Sequence, residues 1–131
     1  MPDRKTILVV DDERQIAQVA CLRLEAAGYR TITAGDGEQG VAAAAQEQPH
    51  AIILDVRMPR MDGLTALAEL RSRDDTNHIP IIMLSASLVD KPAALDAGAR
   101  FFLTKPYNAE QFITAVHKAV AEASETTNLA Q

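Results

Sequence analysis

Four short apolar runs punctuate the chain: Ile7–Val10, Ile52–Leu54, Ile81–Leu84 and Phe101–Leu103. Each is too short for a buried helix, and none alternates with polar residues. They are therefore expected to be strands covered on both faces, as in a parallel sheet. A fifth segment, Arg30-Thr31-Ile32-Thr33-Ala34, is strand-prone but more polar, which suits an edge.

The intervals between these runs carry helical spacing. Ile16, Val19, Ala20 and Leu24 form a stripe that ends before Gly28, a natural helix terminator. Asp36-Gly37-Glu38-Gln39 opens an alanine-rich helix that stops before Pro49, and Asp62 is placed to cap a third helix bearing Leu64, Leu67 and Leu70. A weaker pattern from Leu88 to Ala97 contains Pro92 and ends at Gly98, so this helix is expected to be short or irregular. Asn108 and Gln111 make a capping-box-like start to a last helix whose stripe is Phe112, Ala115, Val116, Ala119 and Val120.

Strand and helix thus alternate five times. Right-handed crossovers put helices on both faces of an open parallel sheet, and the polar second strand at an edge favours the order 2-1-3-4-5. One domain over residues 5–122 is expected, with flexible tails at 1–4 and 123–131. A length of 131 residues leaves no room for a second domain in this reading.

In open α/β sheets, ligands bind beyond the carboxyl ends of the strands. The first apolar run is followed by Asp11-Asp12-Glu13, the run at 52–54 by Asp55, the run at 81–84 by Ser85, and the last by Thr104-Lys105-Pro106. The carboxylates of Asp11, Asp12 and Asp55, a hydroxyl and an ammonium therefore converge on one rim. At about 4 Å and an effective dielectric near 20, one like-charge pair costs on the order of 4 kcal/mol, more than Lys105 alone offsets. A hard divalent cation is the natural complement, and Mg²⁺ takes one or two carboxylates together with phosphate oxygens. Cation, lysine and hydroxyl are also what a transferring phosphoryl group requires. Asp55, alone on the central strand, is the candidate nucleophile for an aspartyl phosphate.

Composition narrows the alternatives. With 13 basic against 18 acidic residues, a net charge of −5 and no Trp, the chain lacks the basic face and stacking platform of nucleic-acid binders, and nucleic acid is excluded from the expected partners. No apolar run is long enough for a signal peptide or a membrane helix. The single cysteine, Cys21, fits a reducing, cytoplasmic setting. His50, His78 and His117 share no metal-ligand spacing.

The segments Ile7–Glu13, Asp55–Gly63, Ser85-Ala86 and Gly98–Pro106, in this order at these strand ends, resemble the receiver domain of two-component response regulators. The resemblance implies a flavodoxin-like, doubly wound (βα)5 fold. It implies that Asp55 accepts a phosphoryl group from the phosphohistidine of a sensor histidine kinase or a histidine phosphotransfer protein. Asp11, Asp12, Asp55 and the backbone carbonyl of Arg57 would hold Mg²⁺. Lys105 and Ser85 would bind phosphoryl oxygens, Phe102 would be the switch aromatic, and the Lys105–Pro106 bond would be cis.

Ser85 stands where threonine is commoner, and Arg57 and Ser87 occupy positions that in the family influence phosphoryl lifetime. The expected function is that of a single-domain response regulator, a signalling module rather than an enzyme. It would act on a downstream protein partner, away from membranes, as a monomer or a weak phosphorylation-dependent dimer. A phosphorelay intermediate and a phosphate-independent adaptor are the alternatives. A Mg²⁺-dependent aspartyl phosphatase is disfavoured, because that chemistry wants a second acid where Arg57 stands.

Overall fold

In the computed structural model, which describes residues 4–130 less the side chains of 124–130, five strands alternate with five helices. The strands are β1 (Thr6–Val10), β2 (Arg30–Ala34), β3 (Ala51–Asp55), β4 (Ile81–Ser85) and β5 (Phe101–Thr104). They form one parallel sheet in the order β2-β1-β3-β4-β5. The apolar runs predict this directly. Every residue of the central strands β3 and β4 is buried, whereas the polar segment 30–34 lies at an edge with its first four residues partly or fully exposed.

The helices are α1 (Arg14–Ala26), α2 (Gly37–Glu47), α3 (Gly63–Ser72), α4 (Lys91–Asp96) and α5 (Ala109–Ala130). Alternate strand residues feed two cores, one on each face of the sheet. Leu8, Val10, Ile52, Leu54, Ile81 and Met83 pack against α2, α3 and α4. Ile7, Val9, Ile53, Ile82 and Leu84 pack against α1 and α5, where Phe112 and Val116 are fully buried. The expected caps form: Asp36 accepts from the Gln39 N–H, Asp62 from Thr65, and Asn108 and Gln111 bond reciprocally. A 3-10 turn, Leu88–Asp90, precedes the six-residue α4, the irregularity expected around Pro92. Among the described residues, no helix is long and apolar enough to cross a membrane. The tails expected at 1–4 and 123–131 fall, but for Arg4 and Ala123, outside the described side chains.

One local expectation is corrected. The buried stripe of α1 is Ala17, Ala20 and Leu24, not the stripe through Ile16 and Val19. Small alanines let the helix approach the sheet closely, and the bulkier Val19 is left about half exposed, at 47%. The segment with Arg71, Arg73, Asp74 and Asp75, polar throughout, is solvated only in part. Arg71 donates to the carbonyls of Gly98, Asn77 and Ile79 and so ties α3 to the segments before β4 and β5. Arg73 and Asp75 do form an exposed ion pair.

Candidate phosphoryl-acceptor and metal site

The strand register brings the rim together. Val10 pairs with Leu54, Asp55 with Leu84, and Ser85 with Thr104, so Asp11, Asp55, Ser85 and Lys105 leave four neighbouring strands at one level. Backbone bonds hold these ends in place: Asp11 N–H donates to Ala34 O, Val56 N–H to Leu84 O and Lys105 N–H to Ser85 O. Gly63 lets α3 begin directly beneath β3, because a Cβ there would lie 2.2 Å from the Asp55 carbonyl oxygen.

Carboxylate oxygens of Asp11, Asp12 and Asp55 lie within 4.8 Å of one another, with Asp11 and Asp55 buried and Asp12 exposed. Neither Asp11 nor Asp12 caps α1. The residue preceding the helix, Glu13, makes no side-chain cap, and Asp11 instead accepts the Glu13 N–H at 2.9 Å. Lys105 follows β5 at a cis Lys105–Pro106 bond. Its Nζ lies 2.9 Å from Asp55 Oδ1 and 4.0 Å from Asp11 Oδ2.

Burial raises the pKa of both Asp11 and Asp55. The Glu13 N–H opposes the rise at Asp11 and the Lys105 ammonium opposes it at Asp55, while the neighbouring carboxylates add to it at both. Lys105 is raised: burial would lower it, but its bond to Asp55 and the charges of Asp55 and Asp11 outweigh that. One ammonium therefore serves two buried carboxylates and a third nearby. That all-oxygen donor set, short of positive charge, fits a hard divalent cation.

Ser85 is buried, and its hydroxyl donates to Asp90 Oδ2 at 2.6 Å while its Oγ accepts the Ser87 N–H at 3.1 Å. Asp90 also pairs with Arg57, whose Nη2 lies 3.3 Å from both of its oxygens. The sequence reading passed over Asp90. Its faint signal is the Ser87-x-x-Asp90 spacing of a turn, and only the 3-10 turn brings the carboxylate back over the end of β4. Asp36, the cap of α2, is a further buried acid. It is held low by the Gln39 N–H and by Arg60, whose Nη1 lies 2.9 Å away. This pair pins the loop after β3 to the start of α2.

Phe102 is partly buried against the α2–α4 core. Met58 and Met61 pack on the same core, as loop methionines filling gaps. His117 is exposed, as its place off the apolar stripe suggests, yet its ring hydrogen-bonds the Tyr29 hydroxyl. Cys21 is a free thiol on α1.

Comparison with known proteins adds to this geometry. The family model of the response regulator receiver domain matches residues 7–117. The DNA-binding dual master transcriptional regulator RpaA of Synechocystis is 40% identical over 112 residues, which cover 84% of this chain and 46% of RpaA. The chain thus spans about half the length of the curated relatives it matches.

Among solved structures, the Vibrio cholerae chemotaxis protein CheY4 is 32% identical with a TM-score of 0.83, covering 89% of this chain and 99% of its own. The receiver domain of the Pseudomonas aeruginosa sensor histidine kinase PA1611, solved with a magnesium ion in its active-site cleft, is 30% identical with a TM-score of 0.83. It covers 91% of this chain and 99% of its own.

These relatives overturn the exclusion of nucleic acid drawn from composition. A relative 40% identical to this chain is a DNA-binding regulator more than twice the length of the matched segment. The acidic balance therefore describes these 131 residues alone, and their net charge does not decide what a regulator containing such a segment binds. The match begins within β1 and ends within α5, taking in every strand and the whole acidic rim, and the chain belongs to the response regulator receiver domain family.

Proposed function

We propose that the chain accepts a phosphoryl group on Asp55, in the presence of Mg²⁺, from the phosphohistidine of a histidine kinase, and that the phosphorylated rim works as a conformational switch. The observation that carries this reading is the shared lysine: Lys105 Nζ is 2.9 Å from a buried Asp55 carboxylate that also lies beside Asp11 and Asp12.

In the transfer, an Asp55 carboxylate oxygen forms a bond to phosphorus. The phosphorus–nitrogen bond of the donor breaks, and its electron pair stays on the imidazole. Asp11, Asp12, Asp55 and the Arg57 carbonyl would hold Mg²⁺, which supplies positive charge to the phosphoryl oxygens. Lys105 opposes the rise that burial imposes on the Asp55 pKa and is placed to exchange one oxygen partner for another as charge moves onto the phosphoryl group. Ser85 donates its hydroxyl to a second phosphoryl oxygen, and Phe102 follows it by changing rotamer.

Charge-assisted hydrogen bonds are worth roughly 1.5–3 kcal/mol each. Two of them approach the ~5.5 kcal/mol that moves a two-state equilibrium from 1:99 to 99:1, so the site is energetically adequate as a switch. The position two residues after Asp55 favours signalling over hydrolysis. Arg57 is paired with Asp90, and a guanidinium does not give up its proton to a leaving group.

Incubation with a small acyl phosphate and Mg²⁺ tests the reading by intact mass. One added phosphoryl group is expected, absent when Mg²⁺ is chelated and absent in Asp55→Asn. Labelling of Asp55→Asn at the same level refutes it.

A further inference from the structure

Ser85 does not point its hydrogen bond at Asp55. Its hydroxyl donates to Asp90 Oδ2 at 2.6 Å, and its lone pair takes the Ser87 N–H. A serine hydroxyl has one hydrogen to give, so it serves the Asp90 carboxylate or a phosphoryl oxygen, never both. Asp90 is a buried acid at 9% exposure. It closes the 3-10 turn after β4 and directly precedes α4. Arg57, two residues beyond Asp55, reaches over from the next strand end to both Asp90 oxygens. The carboxylate therefore keeps a counter-charge after the hydroxyl leaves.

We propose that Asp90 is a positioning residue that holds the Ser85 hydroxyl away from the acceptor site in the unphosphorylated chain and must release it for the switch to complete. The proposal rests on the phosphoacceptor reading of Asp55 and adds to it a competing acceptor that sets the resting state. Asp90 lies at the junction of the 3-10 turn and α4, so release frees that junction from β4. The hydroxyl's exchange of partners is thereby coupled to the start of α4. Arg57 is largely exposed, at 70% for its side chain, and such a pair contributes little by itself. The hold lies in the short bond from Ser85.

The test uses beryllofluoride, a phosphoryl mimic, titrated at saturating Mg²⁺ and followed by ¹⁹F NMR of the bound species. The chain is compared with Asp90→Ala, the nearly isosteric Asp90→Asn, Ser85→Ala and the double variant Asp90→Ala/Ser85→Ala. Removing a charged competitor should tighten binding about tenfold in Asp90→Ala. Asp90→Asn keeps the shape and a weaker acceptor, and should fall between Asp90→Ala and the parent. On the Ser85→Ala background the gain should vanish, because there is no hydroxyl left to release. Unchanged affinity in both Asp90 variants, or the same gain with and without Ser85, overturns the proposal. Absence of beryllofluoride binding in the parent chain refutes the phosphoacceptor reading itself, and the hold with it.

Discussion

Lys105 is shared between Asp55 and Asp11: its ammonium lies 2.9 Å from the first carboxylate and 4.0 Å from the second. Lys105→Ala leaves both buried acids without their nearest cation. Removing one partner of a buried charge group is costly. With three carboxylates present and the lysine still partly exposed, a loss of about 2 kcal/mol in the metal-free chain at neutral pH is expected. Urea unfolding measures it. Added Mg²⁺ should restore part of the stability, while phosphoryl acceptance stays at least tenfold below the parent.

The acid titration has a definite sign. Asp11 and Asp55 are both raised, chiefly by burial. A carboxyl whose folded pKa exceeds its unfolded value binds its proton more tightly when folded. Its contribution to stability therefore falls as pH rises from the ordinary carboxylate range through the folded values. His50, held low chiefly by burial, acts in the opposite sense when its proton is forced on below the ordinary histidine range. Asp36, held low, gives up its contribution only as pH falls below the ordinary carboxylate range. Comparison with Asp11→Asn isolates the rim. The variant should be the more stable by about 1 kcal/mol near neutrality without metal, and the difference should close as the pH falls. Saturating Mg²⁺ binds only the ionised rim and should reverse the order of the two proteins, as a thermal melt would show.

Gly63 starts α3 against the backbone at the end of β3, where an added Cβ would meet the Asp55 carbonyl oxygen at 2.2 Å and Val56 Cα at 2.8 Å. Backbone cannot yield as a side-chain tip does. Gly63→Ala should cost about 1–3 kcal/mol and slow phosphoryl acceptance by displacing Asp55. A full-rate, fully stable variant would show that α3 shifts without disturbing the rim.

Arg71 provides the contrasting case, a structural residue far from the chemistry. Its guanidinium serves three backbone carbonyls. Arg71→Ala leaves them unpaired at a half-buried site and should cost about 2–3 kcal/mol in urea unfolding, with the rate of Asp55 phosphorylation per folded molecule unchanged.

These contrasts show what a linear sequence carries. The strands are legible because a two-sided parallel sheet leaves continuous apolar runs, and the rim is legible because whatever follows each run must lie at one edge. Asp11, Asp12, Asp55, Ser85 and Lys105 were therefore identifiable without coordinates. Asp90 was not: its meaning depends on a 3-10 turn that carries a carboxylate back over Ser85, and no periodicity encodes that return. The role of Arg71 is equally illegible, because its partners are carbonyls from positions 6 to 27 residues away, which every sequence possesses. The stripe of α1 was misplaced because alanine is a weak hydrophobic signal, yet here it allows the close approach that Val19 would block.

The central claim is that Asp55, and no other acid of the rim, carries the phosphoryl group. Borohydride reduction of the chain after phosphorylation, followed by peptide mass mapping, tests it most directly, because an aspartyl phosphate is reduced to homoserine. The prediction is homoserine at position 55 alone. Homoserine at position 11 or 12, or a phosphorylated chain in which Asp55 is recovered intact, would contradict it.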